Sequence, residues 1–237
     1  MAASPESRGL AAALIVAAGS GERLGAGGPK ALVPVAGRPM FEHSLIAFRA
    51  AASVGPVVVV VPPGHEDQFR DALDPERAES LVAGGPARSL SVANGLAALD
   101  REGADCEIVA VHDAARPLVA PELIDRSVEM LEKSADVDAV IAAAPVTDTI
   151  KKVAAGGRVE QTVDRSALRA VQTPQVFRRS ALAAALAAGD PESATDDASL
   201  VEDAGGSVVV IDAPSFNIKV TVPEDLAIAE ALIGDRD

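Results

Sequence analysis

Five short apolar runs, Ala11 to Ala17, Pro56 to Val61, Glu107 to Val111, Ala139 to Ala144 and Val208 to Ile211, constrain this chain more than any other feature. Their apolar residues are continuous and not alternating, so the strands they predict need cover on both faces, as in a mostly parallel sheet between two helical layers. The segments between them carry helical spacing. Phe41, Leu45 and Phe48 fall at i, i+4 and i+7, as do Val92, Leu96 and Leu99, giving each segment one apolar face. Pro223-Glu224-Asp225 predicts the start of a last helix, with Pro near the first turn and acidic side chains at the positive end of the dipole. No Pro/Ser-rich or like-charge run divides the 237 residues, so 1–237 reads as a single α/β domain. Residues 148–165 break the alternation: Val159 and Val163 lie among polar residues, and Gly156-Gly157 predicts a turn between two strands. On pattern alone this polar hairpin serves equally as an arm docked on a second subunit or as a mobile surface flap.

The first apolar run ends in Val16-Ala17-Ala18-Gly19-Ser20-Gly21-Glu22-Arg23-Leu24, with Pro29-Lys30 a few residues on. Glycines where a strand gives way to a loop let backbone amides turn toward an anion. With Arg23 and Lys30 at its rim the loop suits a nucleoside triphosphate, although a plain strand-to-loop turn has the same composition. Spacing excludes two familiar phosphate loops. A Walker loop needs Gly-Lys followed by Ser or Thr, whereas Pro29 precedes Lys30 and Ala31 follows it. A dinucleotide fingerprint needs a third glycine where Leu24 stands. At the end of the third run is Val111-His112-Asp113-Ala114-Ala115-Arg116-Pro117. Ligands of open parallel sheets collect at the carboxyl ends of strands, so Asp113 is expected in the same crevice as the Gly-rich loop. A carboxylate there can hold Mg²⁺ or a substrate hydroxyl, or cap the following turn. His112 is given no role.

Composition removes several function classes. The core residues are Ala, Val, Leu and Ile, with no Trp or Tyr and five Phe, which leaves little for stacking single-stranded bases. A formal charge of −14 disfavours a broad basic surface for nucleic acid or anionic lipid, so neither is expected as a partner. Cations are used locally instead, at Arg88, Arg116, Lys151, Lys152, Arg165, Arg169 and Lys219, in segments rich in turn residues. The single Cys106 excludes an internal disulfide and three dispersed histidines give no zinc spacing, which fits a reducing cytoplasm. Leu10 to Ala18 is too short to span a bilayer and runs straight into the Gly-rich loop, so it reads as a buried strand and not a signal peptide.

From Leu14 to Ile233 the chain resembles the 2-C-methyl-D-erythritol 4-phosphate cytidylyltransferases. The resemblance rests on Ala17-Ala18-Gly19-Ser20-Gly21-Glu22-Arg23 with Pro29-Lys30, Gly84-Gly85 with Arg88 and Ser91, His112 to Pro117, and Ala144-Pro145-Val146 with Asp148-Thr149. It continues through Thr162-Val163-Asp164-Arg165, Gln172-Thr173-Pro174-Gln175, Thr195-Asp196-Asp197 and Asn217-Ile218-Lys219-Val220-Thr221. It implies a Rossmann-like nucleotidyltransferase fold with helices on both faces of the sheet and an extended β-arm through which two subunits interlock. It also implies transfer of a cytidylyl group from CTP to 2-C-methyl-D-erythritol 4-phosphate, in non-mevalonate isoprenoid biosynthesis, with Mg²⁺ as cofactor. By the same resemblance Arg23 and Lys30 stabilise triphosphate charge, Arg165 and Lys219 position the acceptor phosphate, and Thr149 reaches the neighbouring subunit's substrate. Ala17, Ala18, Gly19, Gly85, Arg88 and Ser91 fall at cytidine and ribose, Arg116 at substrate, and Asp113 at substrate and metal. Val16 stands where many members have Pro, and Arg169 where an aromatic residue is frequent. A ribitol 5-phosphate cytidylyltransferase shares many of these blocks; a non-catalytic nucleotide-binding regulator would be free to lose Arg23, Lys30, Arg165 and Lys219, all of which are present.

Overall fold

The computed structural model describes residues 9–19, 21, 24–25, 27–73, 79–189 and 196–234. β1 (Ala11–Val16) runs into the Gly-rich loop, after which a 3₁₀ turn over Lys30–Leu32 and a small hairpin, β2 (Pro34–Val35) with β3 (Arg38–Pro39), lead into α1 (Met40–Ala50). Next come β4 (Val54–Val61), α2 (Glu66–Ala72), β5 (Ser80–Ala83), α3 (Arg88–Arg101), β6 (Ile108–Asp113), α4 (Pro121–Lys133) and β7 (Ala139–Pro145). The antiparallel pair β8 (Lys151–Val153) and β9 (Val159–Thr162) precedes β10 (Arg169–Arg178), and α5 (Arg179–Ala188), α6 (Asp197–Asp203), β11 (Val208–Asp212) and α7 (Pro223–Gly234) follow.

A seven-stranded sheet has the order β11-β7-β10-β6-β1-β4-β5. Its strands run parallel apart from β10, which pairs antiparallel with both β6 and β7. The continuous apolar runs have the two-sided cover they require. Ala11, Ala13 and Ile15 pack in one layer with Phe41, Phe48, Phe69 and Ile124, while Ala12 and Leu14 pack in the other with Val92, Leu99, Phe177 and Leu182. Each fully buried Leu, Ile or Phe of this kind contributes about 1.5–3 kcal/mol relative to exposure. α4 shows how the helices are placed: Pro121 in its first turn is suited to a position needing no N–H partner, and Leu123, Ile124, Val128 and Leu131 form the buried stripe.

Two strands of the sheet lie outside the five apolar runs. β5 is four half-buried residues at the sheet edge, too short to stand out by pattern. β10 is central, yet it carries Gln172, Thr173 and Gln175, all buried, so its polarity conceals its position.

The topology creates the site. From β1 the chain moves outward through β4 to β5, then returns to place β6 on the other side of β1, which opens a crevice at the carboxyl ends of β1 and β6. Val16 and Asp113, the last residues of those strands, are register partners. Away from the sheet, the side chains of β8 and β9 are all exposed, and their turn contains Gly156 (φ 82°) and Gly157 (φ 80°). Two consecutive left-handed residues make the tight turn of a hairpin, and glycine adopts that conformation without a Cβ penalty.

Candidate active site

The cleft at this switch point is walled by the ends of β1 and β6 and the loops after them, the 3₁₀ turn at Lys30, the turn before α3 with the first turn of that helix, and the segment before α7. It encloses about 690 Å³ and is lined by Ala17, Ala18, Gly19, Gly21 and Lys30, by Gly85, Arg88 and Ser91, and by Asp113, Lys219 and Thr221, among others. The Gly-rich loop is held close to the turn that carries Lys30. Gly21 has φ +72°, and a Cβ there would lie 2.7 Å from Lys30 Cβ, so both backbone conformation and space demand glycine. Across the cleft, Ser91 Oγ accepts from the Gly85 N–H at 3.0 Å and donates to the Ala87 carbonyl at 3.0 Å, bracing the turn that precedes α3.

The charged residues of the cleft are coupled. Arg88 donates from Nε and Nη2 to Oδ1 of Asp113 at 3.1 and 3.0 Å, and from Nη1 to Oδ2 of Asp197. Lys219 Nζ donates to Oδ2 of Asp113 at 2.7 Å. Burial pushes the Asp113 carboxyl up, but Arg88 and Lys219 outweigh it and hold Asp113 well below the usual carboxylate range. Burial likewise lowers Arg88, and Asp113 with Asp197 more than compensates, so its guanidinium is firmly charged. Asp197 is displaced the other way: burial raises its carboxyl, and Arg88 only partly offsets this. Lys219 uses one N–H on Asp113, leaving two for an anion in the cleft.

A buried polar brace lies behind these groups. The Asp113 N–H donates to Thr173 Oγ1 at 3.1 Å, and the same hydroxyl lies 2.9 Å from His112 Nδ1. His112 Nε2–H donates to the Arg116 carbonyl at 3.2 Å, so in the neutral ring that burial favours Nδ1 is the acceptor and the Thr173 hydroxyl donates to it. Burial is the main cause of the fall of His112 to about 3, with Arg116 and Arg88 adding to it against Asp113 and the bond to the Arg116 carbonyl. Asn217, wholly buried, donates from Nδ2 to Gln172 Oε1 and to the Thr173 carbonyl, both at 2.9 Å. Its own carbonyl accepts from Arg116 Nη1 at 2.8 Å, and Val220 N–H donates to the Ala115 carbonyl at 2.8 Å. The segment bearing Lys219 is thereby tied to the turn after Asp113 and to β10.

Nine of the residues singled out by sequence line one cleft: Ala17, Ala18, Gly19, Lys30, Gly85, Arg88, Ser91, Asp113 and Lys219. Arg116 does not; its Nη1 and Nη2 donate to the carbonyls of Asn217 and Val171, a bracing position. Thr149 and Arg165 also lie outside the lining, both exposed, with Arg165 Nη1 donating to the Thr147 carbonyl. Arg23 lies outside the described residues, as does Thr195. Sequence reasoning assigned no task to Thr173, Asn217, Asp197 or Thr221; all four stood in motif blocks, but the partners of the first three are far away in the chain.

A divalent cation fits here on one carboxylate. Oδ1 of Asp113 accepts twice from Arg88 and Oδ2 once from Lys219, so Oδ2 keeps a lone pair. No group of three or more His, Cys, Asp and Glu able to hold a metal occurs among the described residues. That donor set suits Mg²⁺, which commonly takes one or two carboxylates and completes its shell with substrate phosphates and water.

A mostly parallel sheet with a glycine-rich loop and paired cations at its switch point defines a nucleotidyltransferase-type α/β enzyme. The family model for 2-C-methyl-D-erythritol 4-phosphate cytidylyltransferase matches residues 11–235. The chain belongs to that family. It is 44% identical over 232 residues to a protein of Rubrobacter xylanophilus bearing that name, covering 96% of each chain. A solved 4-diphosphocytidyl-2C-methyl-D-erythritol synthase from Anaerococcus prevotii superposes with a TM-score of 0.80 at 29% identity, over 95% of this chain and 96% of that one. The Thermus thermophilus cytidylyltransferase gives 0.73 at 33% identity, over 94% and 98%.

Proposed function

We propose that this protein transfers a cytidylyl group from CTP to 2-C-methyl-D-erythritol 4-phosphate, giving 4-diphosphocytidyl-2-C-methyl-D-erythritol and pyrophosphate. The observation that carries the reading is the single cleft in which a glycine-rich loop with Lys30 faces the Asp113–Lys219 pair, in a chain of this family. The acceptor phosphate attacks the α-phosphorus of CTP. A phosphate monoester has its second pKa near 6, so it is already largely dianionic at neutral pH and needs no general base. The neutral, bonded His112 is consistent with that.

The chemical difficulty is bringing two polyanions together and stabilising charge on the phosphoryl oxygens and the leaving group. Arg23 and Lys30 act on the triphosphate, Lys219 on the acceptor phosphate with its two remaining N–H groups, and the turn before α3, the first residues of α3 and Ala17 to Gly19 enclose the nucleoside. Asp113 anchors Lys219 and, when Mg²⁺ is bound, supplies its protein ligand while the ion neutralises triphosphate charge. Arg116 serves by holding the Lys219 segment.

The same proposal makes the protein a cytoplasmic homodimer joined through the 148–165 arm, with Thr149 and Arg165 completing the partner's cleft. Support comes from Val153 and Val159, each 55% exposed on a two-stranded hairpin that has little to bury by itself. The single cysteine supports a reducing compartment, and among the described residues no helix is long and apolar enough to cross a membrane. Pyrophosphate release measured side by side with methylerythritol phosphate and ribitol 5-phosphate tests the activity. Turnover at least tenfold higher in kcat/KM with the former is expected; preference for ribitol 5-phosphate, or no release with either, overturns it.

A further inference from the structure

Asp197 is a buried carboxylate outside the cleft lining, and its side chain is only 1% exposed. Oδ2 meets Arg88; Oδ1 accepts no hydrogen bond among the described residues. Its backbone is held firmly. The neighbouring Asp196 caps α6 by accepting from the Ser199 N–H at 2.9 Å, and its other oxygen accepts from Gln175 Nε2 on β10 at 2.7 Å. An ionisable side chain placed so expensively and so rigidly, with no access to substrate, acts on its one cationic neighbour.

Arg88 needs such help. It is the first residue of α3, where the helix dipole disfavours a cation. Both bonds it makes to Asp113, from Nε and Nη2, end on the same oxygen, Oδ1. Two donors converging on one atom leave the planar guanidinium able to swing about that atom; a third contact from Nη1 to a separate, fixed carboxylate removes the swing. Since Oδ2 of Asp113 holds Lys219, the orientation of Arg88 is passed on to both groups in the cleft.

We propose that Asp197 is a positioning residue that locks the Arg88 guanidinium against Asp113 and thereby sets the placement of the Asp113–Lys219 pair. The kinetic part of this inference rests on the cytidylyl-transfer reading; its structural part does not. Asp197→Ala removes the acceptor and leaves Arg88 paired with Asp113. The expected result is a folded protein whose kcat is lowered about ten- to hundredfold, the range typical when a group supporting a site residue is removed. Combined with Arg88→Ala, the same substitution adds nothing: the double variant stays within about twofold of Arg88→Ala alone, because the two side chains act as one unit. Arg88→Ala leaves the Asp197 carboxylate unpaired and is prone to unfold, so the double variant is also expected to melt higher than Arg88→Ala. Hydrogen exchange of the Arg88 Nε–H, followed by ¹⁵N NMR, requires no turnover. It should speed up at least about tenfold in Asp197→Ala while the amides of α3 keep their protection. Unchanged Nε–H exchange overturns the inference whether or not the enzyme uses methylerythritol phosphate. So do a kcat within about twofold of wild type, losses that multiply in the double variant, or a double variant no more stable than Arg88→Ala.

Discussion

Lys30 owes its place in the cleft to a residue with no side chain. Gly21 stands with φ +72° directly beneath it, where a Cβ would come within 2.7 Å of Lys30 Cβ and 3.1 Å of its Cα. Loop and cation are therefore one device: the glycine's conformation sets where the ammonium can reach. Removing a preorganised charge-stabilising donor costs on the order of 10² to 10³ in turnover, about 3–4 kcal/mol, so Lys30→Ala should fall in that range without losing the fold. Gly21→Ala tests the linkage. A left-handed alanine costs only about 1–2 kcal/mol of stability, but its methyl must move the Lys30 backbone. Turnover should drop nearly as far as in Lys30→Ala, with a modest fall in melting temperature; wild-type pyrophosphate release by Gly21→Ala would show that Lys30 acts independently of the loop.

Between elements, the cleft is held by polar bonds that cross from β6 to β10 and on to the segment before α7. Five of the six parallel strands were readable in the sequence as unbroken apolar runs, the short edge strand β5 being the exception, and the runs leading to Val16 and Asp113 pointed to the two sides of the cleft. β10 was not readable as a central strand, because Gln172, Thr173 and Gln175 are buried by bonds to Asn217, His112 and Asp196, partners between 21 and 61 residues away. Local pattern carries no trace of such pairings. For the same reason Asp113, Arg88 and Lys219 were each visible as candidates, while Asp197, 109 residues from Arg88, had only a place in a motif. The brace has a measurable pH signature. His112 titrates near 6.5 when exposed and near 3 in the folded protein. Between those values the unfolded chain holds a proton that the native chain does not, so the stability contributed by neutral His112 is present above 6.5 and lost as pH falls. The slope is about 1.4 kcal/mol per pH unit. Asp113, held low, loses its contribution only below the ordinary carboxylate range, and Asp197, held high, works in the opposite sense. Comparing wild type with His112→Gln therefore isolates the histidine. Denaturant unfolding from pH 6.5 down to 4 should lose about 1.4 kcal/mol per unit of its slope in the variant; equal slopes would mean that His112 is charged in the fold.

Taken whole, the molecule is an acidic protein, net −14, that must handle two polyanions. Lys30, Arg88 and Lys219 all line the cleft, the latter two paired with Asp113, and with a screening length of about 8 Å at physiological ionic strength the remote acidic surface has little influence there. Arg165 and Thr149 stay apart, on or beside an exposed hairpin whose Val153 and Val159 face solvent. A proposed dimer in which each arm serves the other subunit's cleft accounts for both facts, and it makes a prediction that a self-contained subunit does not. Lys30→Ala inactivates the cleft of its own chain, whereas Arg165→Ala inactivates the cleft its arm enters. In a mixed dimer one cleft then carries both lesions and the other carries neither. Equal amounts of the two variants, unfolded together and refolded or co-expressed, should recover about a quarter of wild-type pyrophosphate release, since half the dimers are mixed and each has one intact site of two. Each variant refolded alone should stay at its own low level. No recovery in a mixture that sediments as dimers would mean that Arg165 serves its own cleft, and sedimentation as monomers would remove the arm's proposed role altogether.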